Sequence, residues 1–141
     1  MYNNEIQIMT DTKLSSDTDI ISLYGGLALE DTMDSKVVRI KLPIGAGIHN
    51  IVAKICASIS DRRFVYVTPL VELDRQFTEI VTRQGGQQNT VSIRYHTFNQ
   101  RREEYTNDKT VLIFEESQFK RMKFDIQELS TTCKQIILLC H

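Results

Sequence analysis

No apolar run approaches the roughly 18 residues a helix needs to cross a bilayer, so the sequence predicts no membrane span. The first residues, Met1-Tyr2-Asn3-Asn4-Glu5, carry neither a basic flank nor an apolar segment, so no secretory leader is expected. Cysteine is scarce. Cys56, Cys133 and Cys140 are odd in number, have no paired spacing and sit in apolar patterns. They read as small buried hydrophobes in a reduced, intracellular compartment, cytoplasmic or nuclear. His49, His96 and His141 lie far apart and no Cys–His spacing fits zinc, so no metal site is expected. No Ser–His–acid or Cys–His site can be assembled from the sequence. Low-complexity tracts and internal repeats are absent. Aromatic interleaving is sparse, and Tyr66 and Tyr95 fall in strand patterns, as core residues rather than stacking platforms.

What is present suits one domain with a real core: 141 residues, 41% hydrophobic and 25% charged. The net charge of −1 hides an asymmetry. Residues 1–35 carry seven acids against Lys13, whereas residues 36–141 carry sixteen Lys or Arg against eleven acids. An acidic arm before a mildly basic body either shields a nucleic-acid surface or is a solvated leader. Residues 1–35 show weak periodicity and are expected to form a partly ordered lead-in, with Ile20–Tyr24 a short element ended by Gly25-Gly26.

From residue 36 the patterning is strong. Val37 to Leu42 reads as a strand and is followed by a glycine turn. Ile48, Ile51, Val52, Ile55 and Ile59 then recur on one face of a helix. Phe64–Val67 is a short apolar strand, and Thr68-Pro69 opens a second helix marked by Leu70, Leu73, Phe77 and Ile80. Arg83 to Thr90 is a loop and Val91–Tyr95 a strand; residues 97–108 hold a short helix plus turn. Val111–Phe114 is a buried strand, Phe124–Cys133 holds a modest helix and Gln135–Cys140 is a last strand. The alternation predicts an α/β fold with a mainly parallel sheet flanked by helices. Right-handed crossovers then bring the stretches after the strands to one sheet edge.

Four of those stretches carry a resemblance. Leu42-Pro43-Ile44-Gly45-Ala46-Gly47-Ile48-His49 has the strand–turn–helix setting of a phosphate-binding loop. Thr68-Pro69-Leu70-Val71-Glu72-Leu73-Asp74-Arg75-Gln76 is similar to a "TPxxELxxQ" segment. Phe114-Glu115-Glu116-Ser117-Gln118 sits where an Asp-Glu-Ala-His or Asp-Glu-x-Gln motif would, and Gln135–Cys140 resembles the apolar strand leading into a Ser-Ala-Thr motif. Together, over residues 36–141, the chain resembles the first RecA-like lobe of a superfamily 2 helicase of the DEAD/DEAH type. Only the second stretch is near full consensus.

The resemblance implies a nucleotide site at Gly45, Ala46, Gly47, Ile48 and His49, but in vestigial form. Where the loop of the working family has Lys then Ser or Thr, this chain has Ile48 and His49. Ile48 supplies no charge, and a histidine is a poor ligand for a hard cation. Glu115 stands where the family's first acid holds Mg²⁺ and Glu116 where the second polarises water; both read as vestigial, with a solvated helix start as the plain alternative. Thr68, Pro69, Leu70, His96 and Thr97 carry over as nucleic-acid-contacting positions, with Arg62, Arg63, Arg75, Arg101 and Arg102 adding phosphate charge. The plain alternatives are a tight glycine turn at Gly45 and Gly47 and a polar loop at His96 and Thr97.

The expectation is therefore a non-catalytic, helicase-derived single domain. It would serve as a protein-interaction or nucleic-acid-associated accessory module, of a kind that suits a viral or mobile-element protein. No cofactor is expected beyond weak ATP or anion binding; a protein partner is expected, nucleic acid is a second candidate, and a membrane is not. The alternative is one lobe of a split or truncated ATP-dependent helicase, completed by another subunit or by further sequence.

Overall fold

A computed structural model describes residues 5–9, 37–41 and 47–140. Six strands form one sheet: β1 (Glu5–Met9), β2 (Val37–Lys41), β3 (Arg63–Thr68), β4 (Thr90–Arg94), β5 (Thr110–Glu115) and β6 (Gln135–Cys140). Their order is β1-β2-β6-β5-β3-β4, and every neighbouring pair is parallel. The helices are α1 (Ile48–Ser58), α2 (Val71–Arg83), α3 (Tyr95–Gln100), α4 (Arg102–Tyr105), α5 (Glu116–Phe119) and α6 (Ile126–Thr132). This is an α/β fold of the kind expected for a single RecA-like lobe.

Central position explains the apolar strands. β5 and β6 are buried along their whole length and β3 at all but Arg63, because helices cover both faces. Side chains alternate between the faces. On one, Val38, Ile40, Phe64, Tyr66, Val111, Ile113 and Leu139 pack with Ile51 and Ile55 of α1 and Phe77 of α2. On the other, Val65, Val67, Leu112, Phe114 and Leu138 pack with Phe98, Phe119, Met122 and Leu129.

The helix ends follow local chemistry. α1 starts after Gly47, whose φ of 72° lies in the left-handed region open to glycine. α2 has Glu72 and Asp74 in its first turn and Arg83 in its last, complementing the helix dipole. It ends in a Schellman turn: Gly85 has φ 74°, the Gly85 N–H donates to Thr82 O and the Gly86 N–H to Val81 O. Asp125 caps α6 by accepting from the Gln127 and Glu128 N–H groups.

Several expected boundaries move. β1 lies inside the stretch read as a lead-in, where its pairing with β2 extends the sheet; the rest of that stretch, Ile20–Tyr24 included, is outside the described residues. Tyr95 begins α3 instead of ending β4, so His96 and Thr97 lie in a helix, not a loop. α2 starts at Val71, leaving Pro69 ahead of the helix. Among the described residues no helix is long and apolar enough to cross a membrane.

Candidate functional site

Strand parity divides the two acids after Phe114. Glu115 ends β5 on the side of Val111 and Ile113, facing α1 and α2; Glu116 starts α5 and turns toward the opposite face. Adjacent carboxylates therefore enter two separate networks.

Glu115 is 3% exposed. His49 Nε2 lies 2.5 Å from its Oε1, and the Tyr66 hydroxyl donates to the same oxygen at 2.9 Å. With the carboxylate ionised, the imidazole N–H is the donor. Tyr66 stacks on Phe77 with ring centroids 4.3 Å apart, and His49 meets both rings edge-on at 6.3 Å. Burial, and next the Glu115 charge, push the Tyr66 phenol far above its ordinary value, so it stays a neutral donor. Ile48 places its side chain in the core, 6% exposed among the α1-face residues. An apolar side chain belongs there, and it offers no donor to the turn.

Glu116 is held differently. Arg39 Nη2 donates to its Oε1 in an ion pair, and the Cys140 thiol donates to its Oε2 at 2.7 Å. Burial alone would raise the Glu116 carboxyl, but the hydrogen bonds from Arg39 and Cys140 outweigh it and hold it below the usual range. The same bond raises Arg39 above its ordinary value. Burial, then Glu116, pushes the Cys140 thiol up to about 12. The cluster borders a cleft of about 380 Å³ that also takes in Lys41, Ser117 and Lys120.

Of the vestigial loop, Gly47, Ile48 and His49 are described, whereas Gly45 and Ala46 lie outside the described residues. Thr68 is fully buried, and its hydroxyl accepts from the Leu70 N–H at 3.1 Å. Leu70 and Val71 are exposed, 41% and 55%; His96 is exposed too, Pro69 and Thr97 half-buried. Arg62 is buried. Arg75 bridges Glu72 and Glu79, and Arg102 lies over the Phe98 and Phe124 rings with Glu128 at 3.7 Å, so both charges are partly answered by the protein itself.

Sequence reasoning missed three participants: Arg39, Cys140 and the hydroxyl of Tyr66. Arg39 left one trace, as a charge inside an apolar strand. All three cysteines are buried, but Cys140 is a hydrogen-bond donor and not merely a small hydrophobe. Among the described residues no group of three or more His, Cys, Asp or Glu side chains is arranged to hold a metal.

Comparison with protein-family models, with curated proteins and with solved structures returns no match.

Proposed function

We propose that the chain is a non-catalytic, helicase-derived lobe acting as an interaction module, with a protein partner as the first candidate and nucleic acid as the second. One observation carries this reading: the contact between His49 and Glu115. In the resembled family these two positions hold the hydroxyl and the carboxylate that face Mg²⁺. Here an imidazole and a longer acid meet directly, and Tyr66 takes a further share of the same carboxylate oxygen. A Mg²⁺–nucleotide does not fit such a set. The carboxylate is engaged by nitrogen and hydroxyl donors, histidine is a poor ligand for a hard cation, and Ile48 brings no charge to a phosphate. The second acid, Glu116, is paired to Arg39 and Cys140 and so is poorly placed to orient water.

Calorimetric titration of the full chain with ATP and Mg²⁺ tests the reading. No turnover is expected, and no ATP heat that depends on Mg²⁺. Turnover abolished by Glu116→Gln would overturn it in favour of the lobe of a working motor.

A further inference from the structure

The sheet edge opposite the paired acids carries a second polar concavity. A cleft of about 690 Å³ opens where β3 and β4 begin and where the chain turns into β5. Arg62, Arg63 and Lys109 line it against a single acid, Asp61. Arg62 is only 7% exposed, an unusual state for a guanidinium. Its Nε lies 4.0 Å from Asp61, whose carboxylate is largely in solvent. Arg63 is held over the Tyr105 ring at 5.3 Å and donates to Glu104 O. It is therefore a positioned cation, not a free one.

Helix C-termini point toward this edge, and their carbonyls would normally repel anions. Here they are already answered. The Asn89 side-chain amide donates to Cys56 O and Ile59 O behind α1, and the Schellman turn takes the last carbonyls of α2. The cations then set the local field. Gln87 and Gln88, on the loop after Gly86, add amides that donate and accept.

We propose that this cleft binds a phosphate-bearing ligand of the nucleotide class. Arg63 and Lys109, backed by Arg62, take the phosphate, and the amides of Gln87 and Gln88 take polar edges of the base or sugar. The ligand is either a free nucleotide or a nucleotide within a single strand. The cleft shares no residue with the His49–Glu115 pair, so its test stands apart from that of the proposed function.

The test titrates the full chain at low salt with ATP, inorganic phosphate and a short single-stranded oligonucleotide, by calorimetry and fluorescence anisotropy. One site per chain is expected, weakening with salt and losing about tenfold in affinity in Arg63→Glu and in Lys109→Glu. Arg121→Glu, an exposed charge outside the cleft, should bind as the wild type does. Gln88→Ala should weaken ATP but not phosphate. Arg63→Glu also removes the contact with Tyr105; if it fails to fold, Lys109→Glu and Gln88→Ala carry the test. ATP binding as tight as the oligonucleotide identifies a free nucleotide as the source, and binding of the oligonucleotide alone identifies a strand. Phosphate binding as tight as ATP, an equal loss in Arg121→Glu, or no binding of any probe would overturn the proposal.

Discussion

His49, near the start of α1, and Glu115, the last residue of β5, are 66 residues apart in the chain and 2.5 Å apart in the fold. Removing either leaves the other partly or wholly buried with a partner lost, which costs about 1–3 kcal/mol. His49→Ala and Glu115→Gln should each lower stability by that order in urea unfolding. A double-mutant cycle should return a coupling above about 0.5 kcal/mol. Additive losses would mean that the contact contributes nothing.

Tyr66→Phe tests the same network from below. The ring stays stacked on Phe77, so packing is kept and only the hydroxyl is lost. A cost of about 1–2 kcal/mol is expected, because a buried carboxylate loses a donor. A neutral or stabilising result would show that the carboxylate is satisfied without it.

Glu116 predicts an acid-dependent stability. Its carboxyl lies below the ordinary value in the folded chain, despite burial, because Arg39 and Cys140 bind the ionised form. The folded state therefore binds fewer protons than the unfolded state through this range, and stability rises with pH. The contribution is complete above the unfolded value of about 4.3 and disappears as pH falls through the folded value. Urea midpoints of the wild type and Glu116→Gln should differ near neutrality and converge in acid. Parallel curves would refute the pairing.

The cysteines should be slow toward thiol reagents. A free thiol ionises near pH 8.5, whereas burial raises Cys56 well above its ordinary value and Cys140 reaches about 12. Reaction with a chromogenic disulfide near pH 8 should be minor until denaturant is added. Glu116→Gln should speed modification of Cys140 and leave Cys56 unchanged.

Gly47→Ala isolates the turn. Among the described residues a Cβ there meets nothing within 4 Å, yet φ is 72°. The penalty is conformational alone, about 1–2 kcal/mol. A larger loss by thermal unfolding would point to a clash that the open space does not contain.

Much of this was legible in the residues. Apolar runs at Val111–Phe114 and Ile136–Leu139 and the helical spacing of Ile48, Ile51, Val52 and Ile55 announced buried strands and a covering helix. β1 was not legible: Glu5-Ile6-Gln7-Ile8-Met9 is short and stands among polar residues, and its place comes from pairing with β2. Tyr95 continued an alternating pattern, but its hydroxyl donates to Met122 O from the first turn of α3, and that tertiary bond prevails over the local pattern. The candidate acids were visible as a pair, and their separation follows from parity once β5 is known to end at Glu115. Their partners were not visible, because His49, Tyr66, Arg39 and Cys140 reach them only through the strand order.

That order has a consequence for how the molecule is made. β6 lies between β2 and β5, with Val37 in register with Ile136 and Leu112 on its other side. It is synthesised after the other five strands, yet it joins them. Until it arrives, β1–β2 and β5–β3–β4 are two ribbons with facing raw edges, each a template for another chain. Closure waits for contacts far apart in sequence, which folds slowly. A nascent chain halted before Gln135 would hold all the described helices and most of the core, and would still present the two open edges that β6 removes.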